Sequence, residues 1–347
     1  MGKMELENVS VIIPEKASST TGFFTKPRKP FKEKIIEIIL LLLTVLSSIL
    51  IFFVMFFVIS KAIPVLKASG FSFVFSGGWD ENFLNAWQTS GEQSALKFGA
   101  LPLIAGTVLT TSGALVFCLT FGLGCAIFLS EMCPAWLRKP LESTVRLLAA
   151  IPSVIYGLIG LMIVVPFISK HLISNELSLR MIKICALDGT SLLAGIIVLS
   201  MMIGPIFIAM ASDAIKSAPK IYKEASLALG LSHWRTIVKI ILPAARNGIV
   251  AGAILAAGRA IGEAIALSMV TGSVANLPNP AHGLVFFLEP VRTLASTIVD
   301  NAEGMSVAAC ESALFACGSF LLLSCVLLSL FSRIFSGNLR TGGVSDK

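Results

Sequence analysis

Arg259 and Glu263 stand four residues apart in LAAGRAIGEAIALSMVTG, an otherwise apolar run from Leu255 to Gly272. On a continuous helix that spacing puts them one turn apart on one face, so they read as a pair. If the run crosses a bilayer, an isolated charge there costs at least about 2.5–3.5 kcal/mol, and both side chains must face a bundle interior or a wet cavity. An arginine in a pore favours anions, although it does not choose among tetrahedral ones. The other reading is a buried ion pair that only locks helices together. Glu311, in AACESALFACGS, lies near the end of another apolar run, where it reaches the interface and is solvated.

Other reactive residue types are scattered. His171, His233 and His282 fall in different polar connections. Cys118, Cys125, Cys310, Cys317 and Cys325 fall in apolar runs, where a thiol behaves as a small hydrophobe; Cys133 and Cys185 fall in connections on opposite sides. No cysteine pair has metal-ligand spacing, which argues against a metal centre and against a disulfide framework. The apolar runs hold no histidine and no pair of aspartates, which argues against catalysis inside a membrane. A G-x4-G-K-[ST] phosphate loop is also missing.

The elements that must position these residues are membrane helices. The 347 residues are 55% hydrophobic and 14% charged, with a mean hydropathy of +0.88, well outside the balance of a soluble domain. Six runs are long enough to span a hydrocarbon core: about Ile36–Ser60, Leu101–Leu129, Leu147–Phe167, Ser191–Met210, Ile249–Val274 and Val307–Phe331. Each should be a helix, because lipid offers backbone groups no other partner. The first run is too long for a cleavable signal. Gly106, Gly113, Gly122 and Gly124 in the second run predict close packing inside a bundle.

The net charge of +7 reflects topology rather than nucleic-acid binding. Of 27 Lys and Arg residues, 19 fall in the N-terminus to Glu37, in 130–146, in 211–246 and in the tail from Ser332. The three alternate connections hold only 7. Positive residues collect on the cytoplasmic side, so both termini and segment 211–246 are expected there. The basic stretch TGFFTKPRKPFKEK reads as a disordered arm against anionic headgroups. In the connection 61–100, Phe71, Phe73, Phe75 and Trp79 alternate with small polar residues before Gly77-Gly78, which predicts a short strand or interfacial ribbon.

Within 211–246, Pro219 can open a short helix and Gly230 can close it in the left-handed conformation, giving PKIYKEASLAL. Ile221, Ala225, Ala228 and Leu229 share one face of it, small in the middle and suited to a partner's groove. Ser232 is the expected N-cap of a second short helix, His233 to about Ile241, with Pro243 marking the approach to the fifth span. A pair of interfacial helices lying under the headgroups has the same composition.

The spacing Glu224-Ala225-Ser226, three residues, Gly230, nine residues, Ile240-Ile241-Leu242-Pro243 resembles the EAA motif of ABC importer permeases, EAA-x3-G-x9-I-x-LP. Ser226 is its only departure. The stretches Gly99–Phe167, with LLAAIPSVIYGL, and Leu255–Gly272, with GRAIGE, are similar to PstC-type permease subunits of bacterial phosphate ABC transporters. The likeness covers roughly residues 95–332 and is weaker over 275–306.

This resemblance implies an all-α integral membrane protein with six transmembrane helices, the type I ABC importer permease (MetI-like) fold and a cytoplasmic coupling helix. The expected organisation is a basic arm over 1–34, a first span and external loop over 35–94, a permease domain over 95–335 with coupling segment 213–245, and a tail over 336–347. Glu224, Ala225, Ser226 and Gly230 would belong to the helix that docks on an ATPase and to its turn, with Ile240, Leu242 and Pro243 shaping the return to the membrane. Arg259 would offer its cation to passing phosphate while Glu263 holds and partly neutralises it. The implied partners are a PstA-type second permease, a homodimeric ATP-binding subunit, an external phosphate-binding protein and the lipid bilayer. ATP and Mg would be bound by the ATPase, with no cofactor in this chain. A permease for sulfate or molybdate fits the same residues, and a membrane docking protein that moves no solute is the remaining class.

Overall fold

A computed structural model describes residues 31–89, 97–181 and 185–340. Most of the basic arm and the end of the tail lie outside those residues. Among the described residues, six helical stretches are long and apolar enough to cross a membrane. The first is α1 (Phe31–Ser69), which runs through the boundary between two compact units, Met1–Phe52 and Phe53–Lys347. In the first unit, the described part of α1 presents Leu40–Leu43 and Leu50–Phe52 to the outside, a lipid-compatible surface.

In the second unit, α1 ends in Gly70, and two short helices follow, α2 (Ser72–Phe75) and α3 (Trp79–Gln88). The strand expected over Phe71–Trp79 is therefore not formed. A single helical turn carries Phe71 and Phe75 outward while Phe73 is buried, and Gly78, at φ +84°, opens α3. Buried Trp79 packs against Phe98 and Phe83, with ring centroids 5.4 and 6.1 Å apart. Strand alternation would put Phe71, Phe73 and Phe75 on one face; the helical turn buries Phe73 and leaves the other two outside.

The second span is α4 (Leu101–Ile127), prolonged by a π turn over Phe128–Met132. Then come α5 (Ala135–Ala149), α6 (Ser153–Ile159), a second π turn over Gly160–Val164, α7 (Val165–His171) and α8 (Asn175–Met181). The third span begins at Ser153 rather than Leu147, because Pro152, at φ −57° and ψ 139°, stands extended before α6 and separates it from α5. The fourth span, α9 (Leu192–Lys216), is capped by Ser191, whose side chain accepts from the Ala194 amide.

Next are α10 (Lys220–Ala228) and α11 (His233–Thr236), then a third π turn over Ile237–Ile241 and α12 (Leu242–Ile261). Ser232 does cap α11, accepting from the Arg235 amide at 3.4 Å. The expected second short helix is nevertheless the base of the fifth span, which runs from His233 to Ile261 without a break at Pro243. Proline has no N–H to give and its ring crowds the preceding turn; the wider turn just before it makes room, and the helix continues. After α12 come α13 (Ile265–Val270), α14 (Leu294–Asp300) and the sixth span, α15 (Ala308–Arg340).

The main core lies between α4, α9 and α12, around Cys118, Leu199, Met202, Ile203, Phe207 and Ala256. Small residues set the helix separation: a Cβ at Gly113 would press on Ile196, and one at Gly122 on Phe207. A second core joins α2 and α3 to the first turns of α4 and α15, through Phe73, Trp79, Leu103, Leu314 and Cys317. Glu311 is tied in rather than simply solvated: Lys61 of α1 reaches its carboxylate at 3.0 Å.

At Gly106 a Cβ would meet the Arg292 carbonyl, a backbone atom that cannot turn aside, and one residue on Thr107 Oγ1 accepts from the Leu294 amide at 2.9 Å. Gly106→Ala should therefore push α4 off the 290–294 segment, costing about 1–3 kcal/mol as overpacking does. The readout is a lower Tm of the purified protein in detergent.

Candidate functional site

Three polar constellations stand out. The first surrounds α10. Pro219 takes the position before the helix, one residue earlier than a first-turn proline, and Gly230 leaves it at φ +78°. Ile221, Ala225, Ala228 and Leu229 are all exposed, Leu229 at 83%, so the face expected to meet a partner is open along its whole length. Behind it α10 is fastened. Lys223 Nζ sits 2.5 Å from Oε2 of Glu131, in the π turn that ends the second span. Buried Ser226 lies 3.1 Å from Oγ1 of buried Thr236, at the base of the fifth span. Beside it Lys216 meets Glu142 at 2.6 Å, and Arg146 grips both oxygens of Asp213 at 3.1 and 3.0 Å, so α5 and the end of α9 are clamped together. Of the motif positions, Ile241 rather than Ile240 points into the core, while Leu242 and Pro243 continue the helix.

The second constellation is the break in the fifth span. Arg259 and Glu263 make no ion pair: the helix ends at Ile261, and Gly262 to Ala264 separate the two residues onto different elements. Glu263 turns forward, its Oε1 accepting from the Ala266 amide at 3.0 Å, and so caps α13 instead of holding the arginine. The one-turn spacing holds only on an unbroken helix, and the break was not visible in the sequence. Arg259 is exposed, and among the described residues it has no hydrogen bond or ion pair. It opens on a cavity of about 560 Å³ that is also lined by Ile206 of α9, Leu255 and Gly258 of α12, and Cys325, Leu328 and Ser329 of α15.

The third constellation is at the opposite end of the bundle, and sequence reasoning missed it. Glu289 is 1% exposed; its carboxylate takes His282 Nδ1 at 2.6 Å, Asn276 Nδ2 at 3.3 Å and the Asn279 amide at 3.2 Å. Its own carbonyl accepts from the Leu192 amide at the head of α9. Three residues on, Arg292 Nη1 binds Asp80 of α3 at 2.6 Å, with Asp300 at 3.7 Å from its Nε. These contacts fold the connection 271–307 back over the bundle and fix α3 to it. The residues had no motif spacing to reveal them: the Glu289 partners follow no helical or strand period, and Arg292 meets Asp80 from 212 residues away.

A bundle of membrane-spanning helices that carries a short, open-faced helix between its fourth and fifth spans, and an arginine without a partner among the described residues where the fifth span breaks, has the build of an ABC importer permease. The chain belongs to the family of binding-protein-dependent transport system inner membrane components, whose model matches residues 119–341. It is 35% identical over 266 residues to the probable ABC transporter permease protein YqgH of Bacillus subtilis, covering 76% of this chain and 80% of that one. It is 32% identical over 284 residues to the phosphate transport system permease protein PstC of Pasteurella multocida, covering 78% and 85%. With PstC 2 of Mycobacterium tuberculosis the figures are 32% over 288 residues, 81% and 84%. Among solved structures, a bacterial ABC transporter involved in alginate import shares the fold, with a TM-score of 0.51 at 15% identity over 88% of this chain and 98% of that one.

Cys185 reports on the third constellation. Burial, and then the neighbouring Glu289 carboxylate, push its thiol above the ordinary range. In a variant keeping only Cys185, maleimide labelling should be slow at neutral pH and should climb roughly tenfold per pH unit as the thiolate fraction grows. Fast, pH-independent labelling would contradict that setting.

Proposed function

We propose that the chain is the membrane-spanning subunit of an ATP-driven importer of inorganic phosphate. The observation that carries the reading is Arg259: a permanently charged side chain, without a partner among the described residues, on an open cavity of a membrane-spanning bundle. Hydrocarbon cannot cover it at an acceptable cost, so that face belongs against water or against a second permease. A guanidinium there offers planar, paired donors to a tetrahedral oxyanion. Because Glu263 caps α13 and leaves Arg259 free, the arginine attracts the anion at full charge. Phosphate is the substrate chemistry favoured by relatives called phosphate transport system permease proteins.

The remaining parts follow from this reading. Glu224, Ala225, Ser226 and Gly230 form the docking helix and its turn, and Ile240, Leu242 and Pro243 lead to the gate. α10 and both termini lie in the cytoplasm. The working assembly pairs this chain with a PstA-type permease, a homodimeric ATPase that binds ATP and Mg, and an external phosphate-binding protein.

Reconstituted with those partners, the complex should take up phosphate with ATP and stop with vanadate. Uptake of sulfate or molybdate in preference would overturn the substrate assignment. Arg259→Gln should lower uptake by on the order of 10- to 100-fold, the size of a lost hydrogen bond to a charged group, while assembly is kept. Ala225→Trp should lower co-purification of the ATPase, because the bulky ring fills the narrow middle of the docking face. Normal co-purification and wild-type uptake would place docking elsewhere.

A further inference from the structure

Ser226 stands where the family motif has its last alanine, and it is the buried residue of α10, at 2% exposed. Its Oγ is 2.8 Å from the Lys223 carbonyl and 3.1 Å from Thr236 Oγ1, and Thr236 is fully buried. One hydroxyl proton cannot serve both contacts. The consistent arrangement has Ser226 donating to the Lys223 carbonyl while Thr236 donates to Ser226 Oγ. The hydroxyl departure from the motif is thereby matched by a hydroxyl ten residues later.

The two fastenings behind α10 differ in kind. The Lys223–Glu131 ion pair has its lysine 37% exposed, so water can solvate the lysine and loosen the pair. The Ser226–Thr236 contact is shielded, and water cannot replace it without opening the packing. It joins α10 directly to α11, and α11 is continuous through the π turn with the 29-residue span that ends beside Arg259. At helical rise that span is about 43 Å long.

We infer that the Ser226–Thr236 hydroxyl pair is the positioning link that carries displacement of the docking helix into the gate helix. The inference rests on the importer reading above. The pair touches neither phosphate nor nucleotide; it sets the angle between α10 and the base of the fifth span. When an ATPase moves α10, the buried link makes Thr236 follow, and the continuous helix delivers the motion to Arg259. The ion pair to Glu131 passes the same displacement to the second span more loosely.

The test uses the complete reconstituted transporter and reads phosphate imported per ATP hydrolysed, alongside ATPase co-purification. Ser226→Ala and Thr236→Val should each lower that ratio roughly fivefold to tenfold, the worth of one buried hydrogen bond, with co-purification unchanged. The double variant should be no worse than either single one, since the same bond is lost once. Thr236→Ser, which keeps the hydroxyl, should stay near wild type. Wild-type ratios in the single variants, effects that multiply in the double variant, or losses that merely track lost ATPase would each overturn the link. A wild-type complex with no ATP-driven uptake would overturn the importer reading and the link together.

Discussion

Hydrocarbon gives a charged side chain no solvent, and that constraint orders this molecule. The guanidinium of Arg259 projects from the last turn of a membrane-spanning helix with no partner among the described residues, on a cavity between α9, α12 and α15. The surrounding bundle must supply what lipid cannot. It opens the guanidinium to the cavity: the fifth span breaks at Gly262, and Glu263 turns forward to cap α13 instead of pairing with it. The same rule explains the other charges: Glu311 is met by Lys61, and buried Glu289 gathers a histidine, an asparagine side chain and a backbone amide.

The bundle is asymmetric end to end, and the asymmetry has mechanical content. At the α10 end, ion pairs and one buried hydroxyl pair bind short helices to the ends of long ones. At the other end, Arg292 and Glu289 fold the connection between the fifth and sixth spans onto α3 and α9. Between them the fifth span is a continuous rod, kept so by a π turn that absorbs Pro243. Its two ends are thus Thr236, tied to the open-faced α10, and an arginine with no partner among the described residues, which is the arrangement the proposed importer needs to turn a push at one surface into a changed electrostatic environment inside the membrane.

Much of this could be read in the chain. Hydropathy marked all six spans, the distribution of Lys and Arg singled out segment 211–246, and Pro219 with Gly230 bounded α10 to within a residue. These are local signals, each written in a few adjacent residues. Arg259 was recognised for the same reason, as a charge in an apolar run. What failed was whatever depended on continuity or distance. The Arg259–Glu263 pair assumed an unbroken helix, and the strand over Phe71–Trp79 assumed that alternation means period two. The short helix expected to end near Ile241 instead continues through a π turn into the fifth span. Thr236, Glu131, Glu289 and Arg292 found their roles in contacts 7 to 212 residues distant in sequence, which no spacing rule encodes.

The central claim is that the cavity beside Arg259 is the aqueous path of an anion, and Cys325, exposed on that cavity, is a native probe of it. In the assembled transporter with Cys325 as the sole cysteine, the decisive measurement is its rate of modification by a membrane-impermeant, anionic methanethiosulfonate reagent. The account predicts that the reagent reacts, that phosphate slows it, and that Arg259→Gln slows it further by removing the attracting charge. Reaction only with lipid-soluble reagents, or a rate indifferent to Arg259, would contradict it.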